Sequence, residues 1–307
     1  MIATSTTKLP IVYLFGAGLV GTMLRDALTE AGDVMVVTDS MISPKIKIAS
    51  TPAEVDLESV YLRLEKSFGP PSLLINAIGV IGKPNVDWCE DHKEETKYGN
   101  TDIAVGMARL AEKMNVPLIH ISTGCIFSDF DGRVFMPGDE PNFSGSYYSW
   151  TKMEAEKQIR EVFDASTNLR IEIHRIRMPF MQESSPRNLI NKLLKYDTLV
   201  DSPNSMTCLE DYAQFVVKRV KGIIGYIGVK WMYTYHAVNK GAIAHSEIVS
   251  FLREFSDIKV GEKKYITPQE LNTMTKVPRS TCVMGDEQLP DVRASLLNII
   301  RNFKYVE

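Results

Sequence analysis

Tyr148 and Lys152 stand four residues apart in Tyr148-Ser149-Trp150-Thr151-Lys152, at the start of a helix pattern over Tyr148 to Phe163. Residues i and i+4 share one helix face, so the phenol and the ammonium project into the same cleft. A cation beside a phenol favours phenolate and lowers its pKa, which fits the group for proton transfer near neutrality. The pair gains meaning from Ser122-Thr123, at the end of the apolar run Pro117 to Ser122. Hydroxyls there could bind the oxygen that the phenol protonates. Cys125 lies two residues past Thr123. With positive charge nearby, its thiol can exchange a proton with a substrate carbon. A cysteine so placed is as readily a small buried hydrophobe. Lys192, on the amphipathic stretch Arg187 to Tyr196, reads by itself as a solvated helix lysine.

A second group of residues suits a dinucleotide. Gly16-Ala17-Gly18-Leu19-Val20-Gly21 lies between an apolar run and a helix pattern. Glycines there let a diphosphate approach the backbone closely, at the positive end of a helix. Asp39 lies eighteen residues past Gly21, at the end of the second apolar run. A carboxylate in that position would accept hydrogen bonds from the adenine ribose hydroxyls and repel an added phosphate; it reads equally as a solvated aspartate at a strand end.

The elements that must position these groups alternate regularly. Strand patterns cover Ile11 to Phe15, Val34 to Thr38, Ser72 to Ala77, Pro117 to Ser122 and Ile171 to Arg177. Helix patterns cover Leu19 to Ala31, Ala53 to Ser67, a long polar stretch from Asp87 to Met114, and Tyr148 to Phe163. Such alternation predicts an α/β fold, a Rossmann-type doubly wound parallel sheet with helices on both faces. Ligands then bind at the carboxyl ends of the strands, where the strand order switches. After residue 179 the pattern loosens into helices at Arg187 to Tyr196, Leu209 to Lys221 and His245 to Phe255, with a strand at Tyr233 to Val238. The expected division is a dinucleotide-binding domain over 1–179 and a smaller C-terminal substrate-binding lobe over 180–307. Segments of that lobe are expected to return to the sheet.

Composition narrows the function classes. The chain has 307 residues, 44% hydrophobic and 24% charged, with a net charge of −3. This is the balance of an ordinary globular protein, and no global positive field draws it to nucleic acid or an anionic membrane. The four cysteines form no Cys-x-x-Cys pair, and the five histidines show no metal-ligand spacing, so no metal site is expected. The longest apolar run, Leu9 to Val20, is too short to span a bilayer, and a reducing, cytoplasmic location follows.

In order, the glycine turn, Asn76-Ala77-Ile78-Gly79, Ser122-Thr123 and Tyr148-x-x-x-Lys152 resemble the extended short-chain dehydrogenase/reductase family. Within it the chain looks most like dTDP-4-dehydrorhamnose reductases, and closer still like bifunctional nucleotide-rhamnose synthases. The finer match rests on Asn85-Val86-Asp87-Trp88-Cys89-Glu90, Thr123-Gly124-Cys125-Ile126-Phe127 and Pro141-Asn142-Phe143-Ser144-Gly145-Ser146. Arg177-Met178-Pro179, Pro186-Arg187-Asn188 and Pro203-Asn204-Ser205-Met206-Thr207 continue it. One departure is the glycine turn, a residue shorter than the family's usual G-x-x-G-x-x-G.

The resemblance implies a 3,5-epimerase/4-reductase that makes an NDP-β-L-rhamnose, most simply UDP-linked, from the 4-keto-6-deoxy sugar with NADPH or NADH. Tyr148 would be the proton donor, Lys152 its electrostatic partner and ribose ligand, and Thr123 the ligand of the substrate oxygen. Cys125 and Lys192 would perform epimerisation. Gly16, Gly18, Leu19, Val20, Gly21, Asp39, Asn76, Ala77, Gly79 and Arg177 would join Tyr148 and Lys152 around the cofactor. Asn85, Asp87, Arg187, Asn188 and Arg279 would join Thr123 on the substrate. Such an enzyme works downstream of a sugar-nucleotide 4,6-dehydratase, and a homodimer is compatible with it. Two alternatives stand beside this expectation: a reductase without epimerase activity, and a non-catalytic regulatory subunit on the same fold.

Overall fold

The computed structural model describes residues 9–41, 57–226 and 228–305. Seven parallel strands form its central sheet: β1 (Ile11–Phe15), β2 (Met35–Thr38), β3 (Leu73–Asn76), β4 (Leu118–Thr123), β5 (Arg170–Ile176), β6 (Trp231–Lys240) and β7 (Glu287–Asp291). Their spatial order is β2-β1-β3-β4-β5-β6-β7, so the direction of winding reverses between β1 and β3. Every residue of β1, β3 and β4 is buried, because helices cover both faces. That is why these segments read as continuous apolar runs and not as alternating ones.

One face carries α1 (Leu19–Ala31), with Leu24 and Leu28 packed against Val12, Leu14 and Ile75. The other carries α2 (Leu57–Phe68), α3 (Ile103–Lys113) and α4 (Tyr147–Ala165), whose Val60, Met107 and Ile159 share a core with Tyr13 and Phe15. The second half supplies α5 (Leu189–Lys195), α6 (Leu209–Ile223), α7 (His245–Phe255) and α8 (Val292–Asn302). Of these, α6 lies beside α1 on the first face, while α5, α7 and α8 enclose a separate apolar cluster that includes Leu193, Ile248 and Leu296.

Two sequence expectations need adjustment. The polar stretch Asp87 to Met114 is not one helix: Trp88–Asp91 and Lys93–Lys97 are separate turns, and Tyr98–Asp102 is a π-helical turn before α3. His92, at φ −127° and ψ 54°, breaks the first from the second. The helix expected over Arg187 to Tyr196 begins only at Leu189, because Asn188 caps it by accepting from the Ile190 N–H at 3.1 Å. Of the helix expected at Ala53 to Ser67, residues 53–56 lie outside the described residues.

Candidate active site

The site forms at the carboxyl edge of β1, β3, β4 and β5. Phe15 hands the chain to Gly16, whose φ of +104° favours glycine. A Cβ there would lie 2.7 Å from the Ala77 carbonyl carbon, and one on Gly21 would lie 1.9 Å from the Gly16 carbonyl oxygen. The turn, the start of α1 and the end of β3 are thus pressed backbone to backbone. Gly18 is different: it N-caps α1 with no side-chain cap, and a Cβ there would meet nothing nearer than the Arg187 guanidinium, at 3.9 Å. The first turn of α1, which includes Leu19 and Val20, contains no acidic residue. Its unpaired N–H groups and dipole therefore suit an anion.

The flanking residues hold this turn. Asp39 accepts from the Gly16 N–H at 3.4 Å. Burial raises the Asp39 pKa against the lowering effect of backbone hydrogen bonds from Gly16 and Ser40. Asn76 is buried: its Oδ1 accepts from the Ile78 N–H at 3.1 Å, and its amide nitrogen lies 3.1 Å from His120 Nδ1. The Ala77 N–H donates to Phe15 at 2.8 Å. Beyond Gly79, Val80 is clamped on both sides by Asn100, which accepts from its N–H at 2.8 Å and donates to its carbonyl at 2.9 Å.

Ser146 N-caps α4 and so sets Tyr148 and Lys152 in its first turns. The Thr123 hydroxyl accepts from the Cys125 N–H at 3.1 Å and lies beside the Tyr148 phenol. Lys152 is buried, donates to the Ile121 carbonyl at 3.1 Å, and has a pKa pushed down to about 8 by burial, with Glu156 opposing. Contrary to the sequence expectation, the Tyr148 pKa is raised and not lowered. Burial and the neighbouring Cys125 outweigh Thr123 and Arg177, and the Lys152 ammonium is turned to the Ile121 carbonyl. A phenol that holds its proton suits the role of donor. Ser122 also departs from expectation. Its hydroxyl donates to Glu156 at 2.5 Å, so of the two hydroxyls only that of Thr123 lies with Tyr148.

Cys125 is partly exposed and free. Arg177, expected on the cofactor, instead lies against it: Nη1 approaches the Cys125 sulfur at 3.5 Å and Ser280 Oγ at 3.0 Å, while Nη2 donates to Asn204 Oδ1 at 2.6 Å. From α5, Lys192 comes within electrostatic reach of the same sulfur. Burial lowers the Lys192 pKa, Arg187 lowers it further, and Cys125 opposes them. A cavity of about 260 Å³ opens beside Lys192, lined by Met178, Arg187, Lys192, Tyr196, His245 and Leu271 among others.

Three residues expected on the substrate are committed elsewhere. Asp87 and Arg279 hold each other in a two-pronged ion pair at 2.8 and 2.7 Å, which ties the segment after β3 to the C-terminal lobe. The guanidinium keeps the Asp87 carboxyl below its ordinary range. Asn188 is fully buried; it donates to the Met181 and Glu183 carbonyls at 2.7 and 2.9 Å as well as capping α5, which leaves it no free donor. Its role is to shape the loop that presents Arg187. Asn85 accepts from the Asp87 N–H at 2.8 Å and is exposed.

Sequence reasoning missed Glu156, Asn100, His245 and the contact of Arg177 with Cys125. Glu156 is buried and bound by Arg175 at 2.7 Å, and Arg175 in turn lies 3.3 Å from His236. Burial raises the Glu156 carboxyl, but Arg175 and Ser122 hold it below its ordinary range. The i+4 spacing that linked Tyr148 to Lys152 also links Lys152 to Glu156, so that signal was available. Among the described residues no cluster of His, Cys, Asp and Glu could hold a metal ion, and no helix is long and apolar enough to cross a membrane.

Comparison with known proteins agrees with this architecture. A plant relative, the bifunctional dTDP-4-dehydrorhamnose 3,5-epimerase/dTDP-4-dehydrorhamnose reductase of Arabidopsis thaliana, is 33% identical over 75% of this chain and 74% of its own length. The chain spans about a third of the trifunctional rhamnose-synthesis proteins of the same plant. The crystal structure of the L780 UDP-rhamnose synthase from Acanthamoeba polyphaga mimivirus superposes with a TM-score of 0.79, at 23% identity over 97% of this chain and all of that one. A dTDP-4-dehydrorhamnose reductase from Bacillus anthracis in complex with NADP gives a TM-score of 0.72, at 16% identity over 95% of this chain and 99% of that one. The family described as the RmlD substrate binding domain matches residues 10–292, and with the parallel sheet, glycine turn and Thr123–Tyr148–Lys152 arrangement in place, the chain belongs to that family.

Proposed function

We propose that this protein is a 3,5-epimerase/4-reductase that converts an NDP-4-keto-6-deoxyglucose, UDP-linked, to the NDP-β-L-rhamnose. The observation that supports the reading is the nearness of Cys125 to both Tyr148 and Lys192, with Thr123 beside Tyr148. The glycine turn fits a nicotinamide dinucleotide, since the close contacts at Gly16 and Gly21 leave no room for side chains while Gly18 stays open. Gly16, Gly18, Leu19, Val20 and Gly21 would hold its diphosphate, Asp39 its adenine ribose, and Lys152 its nicotinamide ribose. When bound in reduced form, the cofactor supplies a hydride to carbon 4.

The chain's own residues account for the proton steps. A ketone at carbon 4 acidifies the hydrogens on carbons 3 and 5. Cys125 takes a proton from one face and Lys192 returns one to the other. Thr123 and Tyr148 hold the carbon 4 oxygen, where the enolate charge develops as Cys125 takes the proton, and Arg177 faces the sulfur in the thiolate form that acts as the base. Tyr148 then gives its proton to that oxygen as the ketone becomes an alcohol. The substrate would come from a 4,6-dehydratase in the cytoplasm, a reducing setting that suits four free cysteines.

The test is isotope exchange. Without cofactor, the wild-type protein in deuterated water should wash deuterium into carbons 3 and 5 of UDP-4-keto-6-deoxyglucose. Cys125→Ala, which hardly changes volume, and Lys192→Met should each lose exchange at one or both carbons. Cys125→Ala should still reduce the pre-epimerised keto sugar. Absence of exchange in the wild type would leave a reductase alone.

A further inference from the structure

His245 is the first residue of α7 and only 6% exposed, yet neither ring nitrogen makes a hydrogen bond among the described residues. The Val200 carbonyl lies near one of them without hydrogen-bond geometry. Leaving such groups unpaired costs stability, and a native structure keeps them when something outside the chain pairs them. Here that something has room, because His245 lines the 260 Å³ cavity together with Lys192 and Arg187.

We propose that His245 hydrogen-bonds a ring hydroxyl of the sugar in the bound nucleotide sugar. The inference rests on the nucleotide-sugar reading above. Position favours the sugar over the base: Arg177, which approaches the Cys125 sulfur, donates to Asn204, and Asn204 exchanges backbone hydrogen bonds with Ile243, two residues before His245. His245 therefore sits toward the reacting end of the cleft. Charge favours a hydroxyl over a phosphate. Burial, with Arg177 adding to it and Asp201 and Val200 opposing, pushes the His245 pKa down to about 4, so the ring is neutral at pH 7. A neutral imidazole offers one N–H and one lone pair, which match a hydroxyl, whereas a phosphate is matched by a cation.

Calorimetric titration of the full chain with UDP-rhamnose and with UDP, alongside thermal melts, tests this. His245→Leu removes both unpaired nitrogens and keeps the bulk. Its affinity for UDP-rhamnose should fall about 3- to 10-fold while that for UDP stays within about twofold. Its melting temperature should equal or exceed that of the wild type. His245→Asn and His245→Gln keep a polar atom near Nδ1 and Nε2 respectively, and one of them should recover most of the UDP-rhamnose affinity. Unchanged UDP-rhamnose binding in His245→Leu, equal losses for both ligands, or a loss accompanied by a lower melting temperature that neither amide rescues would overturn the proposal. A wild-type protein that binds neither ligand would overturn the nucleotide-sugar reading as well.

Discussion

On the proposed reading Tyr148 is the proton donor, and its raised pKa keeps that proton in place until the oxygen it faces becomes basic. Tyr148→Phe should therefore lower the reduction rate by about 10²- to 10⁴-fold while cofactor affinity stays within about twofold. Stopped-flow turnover and a fluorescence titration of NADPH measure the two separately. Lys152 makes a prediction in pH. Its folded pKa of about 8 lies below its ordinary value, so the ammonium is present below about pH 8 and lost above it. If the charge holds the ribose and supports Tyr148, the pH–rate profile should fall on an alkaline limb near pH 8. Glu156 raises the Lys152 pKa, so Glu156→Gln should move that limb to lower pH. A limb that stays put in the variant would show that another group titrates there.

Helix and strand placement turns these residues into a site. The start of α1 has no acidic residue and no capping side chain, and the Arg187 guanidinium from the opposite lobe hangs over it. Arg187→Ala should then weaken NADH and NADPH alike, by about 10-fold, because a shared diphosphate loses a charge-assisted partner. A change confined to the KM for the sugar would assign Arg187 to the substrate alone. The joint between α4 and β5 is an ion pair between buried side chains, Glu156 and Arg175. Arg175→Met strands a buried carboxylate and should cost about 3–5 kcal/mol in urea denaturation. Adding Glu156→Leu should recover most of that loss, since an apolar pair of similar volume carries no desolvation penalty.

At the scale of the whole molecule, the lobes share a sheet. Trp231 to His236 of β6 pair residue by residue with Arg170 to Arg175 of β5, and β7 pairs with β6. Residues after 179 therefore complete the sheet begun by those before it. A cut at 179/180 should leave neither piece folded, and the intact chain should unfold in one transition. Trp88 and Trp150 report on the first part and Trp231 on the second. Variants that retain tryptophan in only one part should melt at the same urea concentration; separate midpoints would show independent domains.

Local signals in the sequence carry the winding of the sheet and the shared helix face of Tyr148 and Lys152. Apolar runs fully buried between helices mark β1, β3 and β4, glycines mark a turn with no room for side chains, and i,i+4 spacing puts Tyr148 and Lys152 on one face. Which polar side chains remain free for a ligand depends instead on contacts between residues far apart in the chain. Asp87 finds Arg279 across 192 residues of chain, and Arg177 finds Ser280 across 103. Ser122 turns to Glu156, Asn188 saturates itself in its own loop, and His245 is buried with no hydrogen-bond partner among the described residues. Hydrogen-bond partnership between distant residues leaves no mark in residue spacing, so a list of polar residues near a motif mixes those that hold the site together with those that meet the substrate.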